Sequence, residues 1–358
     1  MKAVTIRYMV CYSILVVLGL LSVAIVNYKV DPAHLFSDGE YEKGIASLLL
    51  AGDNITVSTN YDERNMNKIY INGLNQPKEV IVFGSSRSMH LTSILFPGRS
   101  FFNNSVSAAS IEDYLAIYDL YRRRNYVPSI VVLGLDPWIL NKNNGATLWT
   151  SLKEEYLEMI NILNLPAATC SSSQDIWAVK FKQLFSLRYF TESLTRLFSG
   201  KGGYSRVEDS NFADAGILND GSRVMDFKSR NRTVEEVEAS AIDWAGQAPV
   251  SNLGDFTELD RGLTDTLVKF IDYLQENGVK VVFYLPPFHP STYHIIAESP
   301  KYGIILSAEQ CFRDIAGSHG IQVLGGYNPA DSRSTREEFY DSIHPKESSI
   351  LKSFENIK

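Results

Sequence analysis

A chain of 358 residues, 45% of them hydrophobic, can bury a sizeable core as one large domain or two modest ones. A net charge of −7 with no basic stripe excludes binding along a nucleic-acid phosphate backbone; the cluster Tyr121-Arg122-Arg123-Arg124 reads as a helix C-terminus. Cys11, Cys170 and Cys311 form no CxxC pair and have no histidine at ligand spacing, which excludes a zinc site of the usual kind, and no metal ligand set is expected.

Between Arg7 and Lys29 the chain carries no charge, and Met9 to Val26 is dense in Leu, Val and Ile. At about 1.5 Å per residue, roughly 20 such residues cross the hydrocarbon core. No small-x-small cleavage site follows, since Val23 to Lys29 reads VAIVNYK, so residues 1–28 are expected to form an uncleaved signal anchor. Lys2 and Arg7 precede the span, whereas Lys29 is mixed with Asp31, Asp38 and Glu40 after it. That asymmetry puts the N-terminus in the cytoplasm and the remaining chain outside the cytoplasmic (inner) membrane, periplasmic or extracellular. Cys11 precedes most of the apolar run, wrong for a lipid-modified cysteine. Cys170 and Cys311 either pair in an oxidising compartment or are separate buried thiols.

Residues 29–78 read as a stalk or linker, with a short helix up to about Gly52 and an irregular polar stretch from Asn54 to Gln76. The domain proper, 79–358, opens with the β-branched run Val80–Phe83, a strand buried on both faces. Gly84 then lets the backbone turn sharply and present Ser86, at the start of a helix expected over Ser86–Leu95 and stopped by Pro97-Gly98. The free N–H groups and dipole of such a helix would favour a developing negative charge at Ser86. A second strand at Phe101-Phe102 runs into Asn103-Asn104-Ser105-Val106-Ser107-Ala108-Ala109. Ser110 with Asp113 caps a helix, and Ile130–Leu135 is a third strand ending in Gly134-Leu135-Asp136-Pro137. Strands alternating with helices at this spacing predict parallel βαβ units.

From about 141 to 255 the alternation breaks. Helical stretches at Lys153–Ile162 and Leu184–Phe198, the Gly-rich break Ser199-Gly200-Lys201-Gly202-Gly203, a loop-like polar stretch to Asn231 and the capping box Thr233/Glu236 read as a helical insertion shaping substrate access. Regular structure resumes with a helix over Leu259–Asn277, a fourth strand at Lys280–Leu285, the loop carrying His289 and His294, a helix capped by Ser307 and Gln310, and a fifth strand at Ile321–Leu324. Phe339-Tyr340-Asp341-Ser342-Ile343-His344-Pro345 then leads into a short terminal helix.

A serine nucleophile needs a base within hydrogen-bond reach and an acid that fixes the base's tautomer. Of six histidines, His34 follows the apolar segment, His90 is too close to Ser86 in sequence to wrap back, and His319 ends a helix. His289 and His294 lie at the catalytic edge and remain candidates. His344 is the best base, because Asp341 three positions earlier can reach Nδ1 while Nε2 faces outward.

Gly84-Ser85-Ser86, the small residues after the second strand, Gly134-x-Asp136 and Asp341-x-x-His344 resemble, in that order, the four sequence blocks of the SGNH (GDSL-like) hydrolase superfamily. The resemblance is closest to its membrane-anchored, DltD-like branch, in which Gly-Ser-Ser replaces Gly-Asp-Ser and an N-terminal span precedes the domain. It covers Val80 to Pro345 and leaves 141–255 unmatched. It implies an α/β, flavodoxin-like three-layer α/β/α fold with a central parallel sheet. Ser86 would be the nucleophile, His344 the base and Asp341 its orienter. The oxyanion donors would be the Ser86 N–H, the Ala108 N–H where the family has Gly, and the side chain at Asp136 where it has Asn. Ala108 serves provided its φ is negative. An ionised Asp136 would repel an oxyanion, so Asp136 is protonated, or Arg87 or Asn104 replaces it, or turnover is slow. His289 reads as a substrate contact.

The activity implied is transfer of an acyl group, acetyl first, to a cell-surface polysaccharide or similar envelope polymer through a Ser86 acyl-enzyme. No cofactor is implied, and a membrane-bound O-acyltransferase would be the partner. An envelope carbohydrate esterase and a non-catalytic scaffold partner of such an acyltransferase are the alternatives.

Overall fold

The computed structural model describes residues 2–32, 36, 39–58, 60–166, 176–199, 203–208, 212–247, 255–355 and 357. His34, Cys170 and the stretch Gly200-Lys201-Gly202 lie outside the described residues. Among the described residues the strands are β1 (Asn54–Val57), β2 (Val80–Phe83), β3 (Phe101–Asn103), β4 (Ile130–Gly134), β5 (Tyr204–Val207), β6 (Gly216–Ile217), β7 (Arg223–Val224), β8 (Lys280–Leu285) and β9 (Gln322–Gly325).

Five of these form a parallel sheet in the order β3-β2-β4-β8-β9. Its central strands β2, β4 and β8 are short apolar runs buried on both faces, as the β-branched sequence requires, whereas the edge strand β9 is only partly buried. Alternate residues point to opposite sides: Ile81, Phe83, Val131, Leu133 and Phe283 face one apolar cluster, Val80, Val82, Val132, Val282 and Tyr284 the other. The first face is covered by the helices Ile111–Arg123, Arg261–Glu276 and Gly303–His319, through Tyr114, Leu267, Phe270 and Phe312. The second face has a thinner cover, made of helix Glu347–Phe354 and the segment carrying Leu91, Leu95 and Phe96.

That thinner layer reflects the absence of the helix expected over Ser86–Leu95. The segment instead makes two 3₁₀ turns, Ser86–Ser88 and Ser93–Leu95. Asn103 braces that shape: its Nδ2 donates to the Ser88 and Leu91 carbonyls at 2.9 Å each, and the Ser88 carbonyl also accepts the Leu91 N–H at 3.1 Å. Ser86 therefore has no long helix dipole behind it.

The segment 29–78 is largely built into the core. Helix Glu40–Leu50 packs on helix Glu63–Gly73, and Ile45, Ile55 and Ile71 are fully buried. β1 forms a small antiparallel sheet, β5-β1-β6-β7, with strands from the 141–255 segment. That segment is thus mixed, with strands where a polar loop was expected, besides the helices Lys153–Ile162, Ile176–Leu184, Leu187–Ser199 and Val234–Gly246. The last is opened by the Thr233/Glu236 capping box. Two further differences lie after β8. His294 sits on a helix, Pro290–Glu298, started by the His289 cap and Pro at its first position. Ser307 lies inside helix Gly303–His319, its hydroxyl turned back to the Gly303 carbonyl. Helix Lys2–Val30 contains a 25-residue stretch, Ile6–Val30, whose most apolar 18-residue window has a mean hydropathy of 2.7, long and apolar enough to cross a membrane.

Candidate active site

The carboxyl ends of β2, β3, β4 and β8 converge at one edge of the sheet. Ser86 follows β2 by three residues and is the one side chain between Val80 and Leu91 that is not fully buried. Its loop is tight because Ser88 wedges between two strand ends. A Cβ at Gly84 would lie 2.5 Å from the Ser88 Cβ, and one at Gly134 would lie 2.0 Å from the Ser88 Oγ, so both positions require glycine.

The opposite wall is the turn Tyr340–His344, closed by the antiparallel bridge Phe339–Pro345 and by the Tyr340 N–H on the His344 carbonyl at 3.0 Å. Asp341 folds this turn with its own side chain: Oδ1 accepts the Ile343 and His344 N–H groups at 2.9 and 3.0 Å. The same carboxylate reaches His344 Nδ1 at 2.8 Å, and His344 Nε2 lies 2.9 Å from Ser86 Oγ. Burial alone would raise the Asp341 carboxyl, but the His344 ring and the two N–H donors outweigh it and hold it down to about 2. An ionised acid, an oriented imidazole and a partly exposed hydroxyl thus stand in line across 258 residues of chain separation.

Ser86, Asp341 and His344 are therefore brought together as the sequence predicts. The residues expected around the oxyanion are arranged otherwise. Ala108 is half-buried at the site edge, but its φ is +49°, a left-handed geometry that costs an alanine about 1 kcal/mol or more. Ala108→Gly is accordingly expected to raise stability by about 1 kcal/mol, readable as a higher thermal midpoint with serine reactivity retained.

Asp136, Arg87, Asn104 and His289 are fully buried and engaged inside the protein. Asp136 accepts Arg87 Nη1 at 2.7 Å, with both side chains 0% exposed. Burial pushes the Asp136 carboxyl up and the Arg87 charge pulls it back, so the carboxylate is paired with a cation through Oδ1. Arg87 also donates Nε to the Ile343 carbonyl at 3.0 Å and Nη2 to the Pro286 carbonyl at 2.5 Å, with its guanidinium 3.9 Å over the Phe288 ring. It joins the ends of β2, β4 and β8 to the turn carrying His344 and is neither solvated nor free to bind substrate. The amide of Asn104 is taken up by Asn67 and the Tyr121 hydroxyl, each at 2.9 Å. His289 caps its helix through Nδ1, and its backbone N–H donates to the Ser342 carbonyl at 3.1 Å. It supports the Tyr340–His344 turn from within, and its side chain is fully buried. His294 is exposed beside Glu298, 3.5 Å away.

Two residues that sequence reasoning passed over hold the loop before Ala108. Glu63 accepts the Ser107 N–H, and Arg64 donates to the Ser107 carbonyl while paired with buried Asp113 at 2.7 Å. The readable signal was Asp62, whose side chain caps that helix. A cleft of about 2410 Å³ opens beside Ser107, Met89 and Arg223 without including Ser86 or His344. The Ser86–His344–Asp341 cluster thus stands outside the lining of that cleft.

No family model matches the chain, and no curated protein matches it significantly.

Proposed function

We propose that the chain is a membrane-tethered serine acyl-ester enzyme of the SGNH type, transferring an acyl group, acetyl first, to a cell-envelope glycan or similar polymer. The observation that carries the reading is the relay from Asp341 through His344 to Ser86, at 2.8 and 2.9 Å, at the strand ends of a parallel sheet. The strand order β3-β2-β4-β8-β9 supports the flavodoxin-like assignment, because numbering only this sheet's strands in chain order makes it 2-1-3-4-5. The reaction balances with these residues alone. His344 Nε2 takes the Ser86 proton as Oγ attacks the ester carbonyl, then gives it to the departing alkoxide. It next takes a proton from the acceptor hydroxyl, which attacks the acyl-enzyme, and returns it to Ser86.

The cleft is larger than the roughly 300–1,000 Å³ of a small-ligand pocket, which suits an extended acceptor. A tether raises the effective concentration of a membrane-bound O-acyltransferase acting as donor. The test is exposure of the full chain in detergent to a fluorophosphonate, followed by mass spectrometry. An adduct on the Ser86 peptide, absent from Ser86→Ala, is expected; no adduct under conditions that label a control hydrolase would sink the reading. Release of acyl groups only to water, with oligosaccharide acceptors present, would point to an esterase.

A further inference from the structure

Two helices of the 141–255 segment, Ile176–Leu184 and Leu187–Ser199, pack against the end of the long apolar helix Lys2–Val30. The contact is polar. Asn27 Nδ2 donates to the carbonyls of Gln183, Leu184 and Ser186 at 3.0–3.1 Å. Ser193 donates to Asn27 Oδ1 at 3.2 Å, the Tyr189 hydroxyl to Asp31 at 2.6 Å, and Arg196 to the Asp31 carbonyl at 3.1 Å.

The second helix thus turns its polar face inward, and helical spacing sends Leu187, Phe190, Leu194, Leu197 and Phe198 to the other side. Leu187, Leu197 and Phe198 are 73%, 61% and 82% exposed, and Phe181 of the first helix 65%. A helix on a water-facing surface shows the reverse arrangement, so this stripe calls for an apolar medium. That medium is continuous with the one suited to the exposed apolar side chains of Ile6–Val30.

We propose that this hairpin is a second membrane-contacting element, seated in the headgroup region of a phospholipid monolayer beside the exit of the first helix. The proposal rests on the reading of that helix as a membrane span. The depth agrees: Val23, Ala24, Val26 and Asn27 are half or fully buried. From Val23 to Val30 at ~1.5 Å per residue is about 10 Å of helix, close to the ~5–10 Å immersion of interfacial helices. Exposed Lys29, Lys182 and Arg188 suit anionic headgroups. Because Glu192, Thr195 and Arg196 of the hairpin also line the large cleft, the contact brings the cleft to the bilayer surface, where a membrane-bound donor acts.

The test is photolabelling of the unmodified full chain in liposomes of phosphatidylethanolamine and phosphatidylglycerol carrying a diazirine-bearing phospholipid. Adducts are expected on peptides from 6–30 and 181–198 and not from 261–276. The variant Leu197→Glu/Phe198→Glu should lose the hairpin adducts and keep those on 6–30. Adducts on 6–30 alone overturn the proposal and leave the span intact. Adducts on neither peptide overturn the span and the proposal with it. Hairpin adducts absent from liposomes, with its stripe shielded from water-soluble reagents only in native membranes, would replace lipid by a protein partner.

Discussion

Asp341→Asn is expected to lower turnover of an activated ester such as 4-nitrophenyl acetate by about 10³–10⁴-fold, the scale on which loss of the orienting acid is felt in such relays. The Asp341 carboxylate accepts from His344 Nδ1 at 2.8 Å, which leaves Nε2 unprotonated to take the Ser86 proton. An Asn amide turned to donate to Nδ1 would stabilise the opposite tautomer, with the proton on Nε2, and the base would be lost. The change also costs stability. The fall of the Asp341 carboxyl from 3.8 to about 2 corresponds to about 2 kcal/mol. The folded value lies below the unfolded one, so this stability is fully present above about pH 4 and disappears as pH falls through about 2. Denaturant midpoints of parent and variant should therefore differ at pH 7 and converge toward pH 2. A variant within tenfold of the parent in kcat/KM would show that something else orients His344.

The features readable in the chain were those with a local cause. Val80–Phe83, Ile130–Gly134 and Lys280–Leu285 are apolar runs that only a doubly covered strand accommodates, and their boundaries follow the sequence closely. Asp341-x-x-His344 was readable because one tight turn brings both groups together. What escaped reading is built from distant partners. β1 is four residues long and exists because Asn54–Val57 pairs with Tyr204–Val207 about 150 residues later. Helix Glu63–Gly73 is polar by composition, and its place is fixed by Arg64 on Asp113. Where a helix is expected after Ser86, the chain makes two 3₁₀ turns braced by the amide of Asn103, which comes 12–15 residues later. Arg87 and Asp136 lie 49 residues apart, with no local signal of their pairing, which follows from the cost of leaving either charge alone at a buried strand end.

That pairing carries the second large expectation. Arg87→Met removes the partner of a fully buried carboxylate and strands the Ile343 and Pro286 carbonyls, a change that costs about 3–5 kcal/mol. Burial already raises the Asp136 carboxyl, and Arg87 is the main influence lowering it; without Arg87 it rises further and is protonated over a wider range. A carboxyl with a raised folded value is penalised as pH rises through that value, so the deficit of Arg87→Met should be larger at pH 8 than at pH 5. Asp136→Asn is the sharper comparison. If residue 136 supplied an oxyanion donor, Asn would raise turnover; with Asp136 bound to Arg87, the variant should lose both stability and turnover. Arg87→Met/Asp136→Leu separates the ion pair from the positioning it provides, because replacing a whole buried pair by apolar groups is often close to neutral. Urea midpoints should recover in part in the double variant, because the Ile343 and Pro286 carbonyls stay without their donor, while turnover stays low, since no guanidinium then holds Ile343, next to His344, against the end of β8. Recovery of turnover along with stability would mean that Arg87 only balances the charge of Asp136.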